Sequence, residues 1–113
     1  MGFTVRRDAG GVVVVGVDGQ LIVGNRHELK QMVLDAAAKG NTRVLVDFSS
    51  TGYIDSSGLG VLVSLSKKLR EEGGELRLAG LNEDLRTLFE LTKLDTRFAI
   101  TDSPEAALAE FTQ

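Results

Sequence analysis

The residues with the greatest capacity for chemistry lie together in one run, Asp55-Ser56-Ser57-Gly58-Leu59-Gly60. One carboxylate, two hydroxyls and two glycines admit three uses: a helix cap, an anion-accepting helix start, or a serine nucleophile. The first turn of a helix presents unpaired backbone N–H groups and about half a positive charge. A phosphate or oxyanion on Ser56 or Ser57 gains from both. Gly58 and Gly60 would keep that turn open to the backbone or active site of another protein. The same residue types build an ordinary cap, and the short run by itself favours capping. Gly60 weighs the other way, because a glycine inside a helix costs about 1 kcal/mol relative to alanine and a cap does not need it.

A nucleophile fits poorly. A nucleophile elbow around Ser57 needs glycine at positions 55 and 59, which are Asp55 and Leu59. His27 is the only histidine available as a base, and a lone histidine near a helix start is ordinarily solvated. Asp47 and Asp55 offer an acid–base or divalent-ion pair, but no third ligand clusters beside them in the sequence. There is no GxxxxGK[ST] phosphate loop, and Gly58-Leu59-Gly60 is too short for a nucleotide fingerprint. The residues therefore point away from an enzyme.

The elements that must position this run alternate between strand and helix patterns. Phe3 to Asp8 reads as an edge strand, Ala9-Gly10-Gly11 as a tight turn and Val12 to Val17 as a buried β-branched strand. Asp18-Gly19 marks a break before Leu21 to Val23. Asn25, with Glu28 three residues on, has the pattern of a capping box. Behind it Leu29, Met32, Val33, Ala36 and Ala37 form an apolar helical stripe closed by Gly40. Arg43 to Phe48 reads as a central strand, and Ser49 to Asp55 as a loop rich in serine and glycine.

The second helix is expected from about Ser57 to Glu72, with Leu59, Leu62, Val63, Leu65 and Leu69 inward and Gly73-Gly74 as its stop. Glu75 to Ala79 alternates as a short strand. Asn82 caps a third helix, with Glu83 and Asp84 suiting its dipole and Leu85, Leu88 and Phe89 its core side. Arg97 to Ile100 makes a last strand, and Ser103-Pro104-Glu105 opens a closing helix with Ala106, Ala107 and Phe111. The order β-β-α-β-α-β-α-β-α requires parallel crossovers after one antiparallel hairpin. The expected fold is α/β, a mixed sheet of four to five strands with four helices. Chemistry in such a sheet gathers at the carboxyl ends of the strands, where the strand Arg43–Phe48 and its loop deliver Asp55, Ser56 and Ser57.

Bulk composition agrees with a single domain over residues 1–113. With 42% hydrophobic and 26% charged residues and one proline, the chain is neither disordered nor fibrous. The absence of cysteine removes disulfides, thiolate metal sites and cysteine nucleophiles. The longest apolar run, Val12 to Val15, falls far short of the roughly 20 residues that cross a bilayer. Nothing at Met1-Gly2-Phe3 resembles a secretory signal. A net charge of −3 and few aromatic rings argue against nucleic acid as partner. A cytoplasmic protein with neither membrane nor nucleic-acid partners is expected.

The stretch Tyr53-Ile54-Asp55-Ser56-Ser57-Gly58-Leu59-Gly60-Val61-Leu62 closely resembles the signature of STAS-domain anti-sigma factor antagonists. The similarity continues through Val44-Leu45-Val46-Asp47-Phe48, Gly74-Glu75-Leu76-Arg77-Leu78, Leu88-Phe89-Glu90-Leu91-Thr92-Lys93-Leu94 and Ser103-Pro104-Glu105-Ala106-Ala107. What the resemblance implies is a partner switch. The unphosphorylated chain would bind an anti-sigma factor with serine-kinase activity, which would phosphorylate Ser57 and so be released. A serine phosphatase would reverse the step. Asp55, Ser56, Gly58, Leu59 and Gly60 would form the phosphorylation loop and partner surface, and ATP and magnesium would belong to the kinase, so that this chain needs no cofactor. One position departs from the family pattern: Ile22 follows Gly19-Gln20-Leu21 where an acidic residue is common, which removes a charge beside the switch. A STAS scaffold or accessory subunit of a signalling or lipid-transport complex, without phosphorylation, is the alternative.

Overall fold

The computed structural model describes residues 2–8 and 10–111. Five strands form one sheet in the order β1-β2-β3-β4-β5: Gly2–Arg7, Val13–Leu21, Arg43–Ile54, Glu75–Ala79 and Ala99–Thr101. β1 runs antiparallel to β2, and every later pair is parallel. The helices are α1 (Arg26–Ala38), α2 (Ser56–Glu71), α3 (Glu83–Leu91) and α4 (Pro104–Phe111), with a 3₁₀ turn at Leu94–Thr96 before β5. The mixed α/β sheet with four helices is the architecture that the alternating patterns require.

Strand alternation decides which face each helix covers. Val13, Val15 and Val17 of β2 and Val44, Val46 and Phe48 of β3 point to one face, where Leu29, Val33, Leu62, Leu65, Leu69, Leu85 and Phe89 of α1, α2 and α3 meet them. Val12, Val14 and Leu45 point to the other, where Ala107 and Phe111 of α4 cover them. The four valines of Val12 to Val15 are thus buried on both faces, which is why they read as an unbroken apolar run.

Two sequence expectations need correction. β3 does not end at Phe48: the polar segment Ser49 to Ile54 continues the strand and pairs with Asp18 to Leu21. Likewise Asp18-Gly19 does not break β2, which runs on to Leu21. The register shifts between Gly16 and Asp18 and between Gly19 and Gln20 absorb extra residues of β3, so that a bulged ladder replaces the expected loop. The polar side chains support it: the Thr51 hydroxyl, buried, donates to the Val17 carbonyl at 2.7 Å. The Ser49 N–H and hydroxyl both reach the Asp47 carboxylate. The hairpin turn is closed by Gly11 N–H to the Asp8 carbonyl, with Gly11 at φ +80; Ala9 lies outside the described residues.

Candidate functional site

The extension of β3 places the serine run at the carboxyl edge of the sheet without an intervening loop. Ile54 ends the strand, Asp55 is the N-cap residue, and Ser56 and Ser57 are the first two residues of α2. Asp55 holds this junction from several directions. Its Oδ1 accepts from the Gly58 N–H at 2.8 Å, and its Oδ2 accepts from the Val23 N–H at 3.0 Å. Its backbone N–H donates to the Leu21 carbonyl, and its own carbonyl receives the first helical bond from Leu59. The N–H donated by Gly58, then those of Val23 and Ser57 and the charge of Arg26, hold the Asp55 carboxyl below its usual range against a smaller cost of desolvation. Asp55 is therefore an anion at neutral pH.

The facing turn is fastened from inside by Asn25. Its Oδ1 accepts from the Ile22 N–H and its Nδ2 donates to the Gln20 carbonyl, both at 2.8 Å. Asn25 makes no side-chain bond to the helix it precedes. The capping box expected from Asn25 and Glu28 is therefore absent, because the tight turn out of β2 uses the amide first. Ile22, half-buried, sits in this turn one residue before the Val23 N–H that grips Asp55. Arg26 follows, half-buried, with its Nε enclosed and, among the described residues, without a hydrogen-bond partner.

Ser56 is exposed and Ser57 half-buried. The two glycines differ. A β-carbon on Gly60 would meet nothing within 4 Å, so the surface there is open as expected. One on Gly58 would lie 2.6 Å from the Leu21 carbonyl oxygen and 2.9 Å from Ile54 Cγ2. Gly58 thus serves close packing of helix on strand, not access by another protein. Leu59 is 8% exposed and packs in the core, so its side chain seats the helix instead of facing outward. Beside the serines, Tyr53 is 58% exposed. It borders a groove of about 370 Å³ between the Gly52–Ser56 segment and Asp84, Leu85 and Leu88 of α3. Tyr53, Val23, Asn25 and Arg26 carry no site signal of their own in the sequence; Ile22 and the Asn25–Glu28 spacing mark that turn, and the spacing points to a different bond.

His27 lies exposed in the first turn of α1. Asp47 is occupied with Ser49 and is not gathered with Asp55 into a carboxylate pair. Among the described residues no group of three or more histidines and acids is placed to hold a metal ion, and no helix is long and apolar enough to cross a membrane.

An acidic cap fixes the polar start of α2 at the edge of a mixed sheet, with Ser56 exposed and Ser57 half-buried. The chain belongs to the STAS domain family, whose family model matches residues 5–107. BtrV of Bordetella bronchiseptica, provisionally named an anti-sigma factor antagonist, is 33% identical over 101 residues, covering 89% of this chain and 87% of that protein. The crystal structure of a Thermotoga maritima protein with the same provisional name superposes with a TM-score of 0.91 at 29% identity, over 98% of this chain and 95% of that one. Bacillus SpoIIAA, an anti-sigma factor antagonist, shares the fold in both its unphosphorylated and phosphorylated forms. The TM-score is 0.76 against each, at 19% and 20% identity, over 97% and 96% of this chain and 96% and 98% of theirs.

Proposed function

We propose that the chain is a cytoplasmic anti-sigma factor antagonist that works as a phosphorylation-controlled partner switch, with Ser57 as the phosphoacceptor. In the unphosphorylated state it binds an anti-sigma factor of the serine-kinase type. Phosphorylation of Ser57 ends that interaction and a serine phosphatase restores it. The names of the relatives support the first part of this reading. The observation that carries the second is the placement of Ser57 in the first turn of α2, beside an anionic Asp55 already committed to the Gly58 and Val23 N–H groups.

That commitment alters how a phosphate would act. Since Asp55 occupies the Gly58 N–H, the helix start has less to give a phosphate than an uncapped one. A phosphoserine brings about −1.5 to −2 charges at neutral pH. Two unit charges 4 Å apart repel by about 1 kcal/mol in water and about 4 kcal/mol at an effective dielectric of 20. Arg26, whose charge reaches Asp55, offsets part of this in the free protein. A partner closing over Ser56, Ser57 and Gly60 removes the solvent that screens the rest. Turning a complex from about 99% to about 1% bound takes about 5.5 kcal/mol of differential affinity, and desolvation of the dianion together with repulsion supplies a term of that size. Gly58 and Leu59 support the surface from beneath. Little change of fold accompanies the switch.

Incubation with the cognate kinase and ATP, followed by peptide mass spectrometry, tests the reading. Phosphate on Ser57 is expected. Its absence from Ser57, with the kinase active on another substrate, contradicts the switch, and equal partner binding by the wild type, Ser57→Ala and Ser57→Asp favours a constitutive scaffold.

A further inference from the structure

We propose that Arg26 receives the phosphoryl group of Ser57, closing an ion pair between the start of α1 and the start of α2 in the phosphorylated chain. The inference rests on Ser57 as the phosphoacceptor, and it names the group that this chain itself offers to the phosphate.

The two helix starts are tied to one carboxylate. Asp55 Oδ1 accepts at 2.8 Å from the N–H of Gly58, the residue after Ser57. Its Oδ2 accepts at 3.0 Å from the N–H of Val23, in the turn that leads into Arg26. Arg26 is the first residue of α1, and its own N–H donates to the Ile22 carbonyl at 2.9 Å. Three and seven residues further on, Leu29 and Val33 are buried in the core that Leu59 and Leu62 of α2 share. Arg26 heads this same side of α1, and helical side chains lean toward the helix N-terminus. Its guanidinium is thereby carried back toward the carboxyl edge of the sheet, where α2 begins.

In the unmodified protein this guanidinium is unspent. Its Nε is enclosed and, among the described residues, has no hydrogen-bond partner, and Arg26 forms no ion pair with a carboxylate there. The Asp55 carboxyl, held low first by the Gly58 N–H and last by the Arg26 charge, already accepts from backbone N–H groups with both oxygens. Ile22, in the same turn, supplies no carboxylate. An enclosed donor without a partner costs free energy, so an acceptor that reaches it is favoured. A phosphoserine brings three strong acceptor oxygens, and a guanidinium fork takes two of them in parallel. The further charged or titratable groups at this end are exposed: His27 and Glu28 in the first turn of α1, and Glu83 and Asp84 in that of α3. The three acids among them repel a phosphate.

The pairing also sets the charge of the switch. A phosphoserine loses its second proton with a pKa of about 6, so about a tenth of it is still monoanionic at pH 7. The Asp55 carboxylate favours that monoanion and the Arg26 guanidinium the dianion. With Arg26 paired, the change of charge is complete at neutral pH.

Phosphoserine installed at position 57 during synthesis of the full chain, without a kinase, makes the test independent of whether any kinase modifies Ser57. Phosphorus NMR follows the second ionisation at constant ionic strength in wild-type, R26K, R26Q and His27→Gln chains. The phosphate is expected to bind its second proton about tenfold more weakly in the wild type than in R26Q. R26K lies between them, and His27→Gln matches the wild type. In the wild type, phosphorylation also moves the Arg26 Nε–H signal and slows amide exchange in the 22–26 turn. Equal proton affinity in wild type and R26Q, with native-like amide spectra, overturns the proposal. So does an Arg26 Nε–H signal that is the same with and without the phosphate, a measurement that needs no variant to fold. A kinase that leaves Ser57 unmodified contradicts the switch, and it leaves both of these readouts as they stand.

Discussion

The starts of α1 and α2 lie at the carboxyl ends of adjacent parallel strands, and their N-cap residues do different work. At α2, Asp55 caps its own helix through Gly58 and also reaches across to Val23. At α1, Asn25 turns backward to Ile22 and Gln20 and gives its helix no side-chain cap. Both side chains therefore hold the same 20–25 turn, one from within and one from across the strand junction. The acid is placed where one carboxylate can serve two backbone donors belonging to different elements. A phosphoserine at position 57 consequently arrives beside a charge that cannot easily swing away.

This contrast breaks most severely at Gly58. Gly58→Ala puts a β-carbon against the Leu21 carbonyl, and overpacking of this kind costs about 1–3 kcal/mol; urea unfolding reads the loss. Gly60→Ala, with nothing near it, has the opposite sign and stabilises by up to about 1 kcal/mol through helix propensity. A matching loss at both glycines would mean that the two are not distinguished by packing.

The two caps can be compared next. Asp55→Ala lowers the thermal midpoint and exposes the Gly58 and Val23 amides to hydrogen exchange together. Asn25→Ala exposes the Ile22 amide and leaves the first turn of α1 as protected as before. Asn82 caps α3 through the Leu85 N–H at 2.8 Å and donates its amide to the Thr51 carbonyl at 3.3 Å, and Asn82→Ala provides the scale, a cost of about 1 kcal/mol felt in α3 and at Thr51.

The smallest effect is on pH dependence. The Asp55 carboxyl titrates below its usual range when folded, so the unfolded chain binds its proton at higher pH than the native one. The stability it contributes is complete above the unfolded value near 3.9 and is lost as pH falls through the lower folded value. Asp55→Asn should flatten the acid limb of the stability curve in that window and leave the neutral region with a constant offset. An unaltered acid limb would show that Asp55 does not gain from its two N–H donors.

Much of this architecture is legible in local patterns. The β-branched run at Val12 to Val15, the stripes of three helices and the caps at Asn82 and Ser103 depend on neighbours a few residues away. What escapes has distant partners. Ser49 to Ile54 has loop composition, yet it is a strand because Asp18 to Leu21 pairs with it and Thr51 finds the Val17 carbonyl. Gly58 has the spacing of an access glycine, but its close neighbours are Leu21 and Ile54. Asn25 has the spacing of a capping box, and the turn before it captures its side chain. The candidate site, Asp55 to Gly60, stands out in the sequence through its residue types. Its division into a charged clamp, one exposed and one half-buried serine and a packed underside follows only from three-dimensional neighbours.

The most direct test of the proposed switch uses protein carrying phosphoserine installed at position 57, compared with the unmodified chain for binding to the proposed anti-sigma partner by calorimetry. The account predicts a loss of affinity of about four orders of magnitude, matching the differential of about 5.5 kcal/mol, with amide spectra that change only around residues 53–60 and the 22–26 turn. Undiminished binding by the phosphorylated chain, or a spectrum rearranged across the sheet, would contradict it.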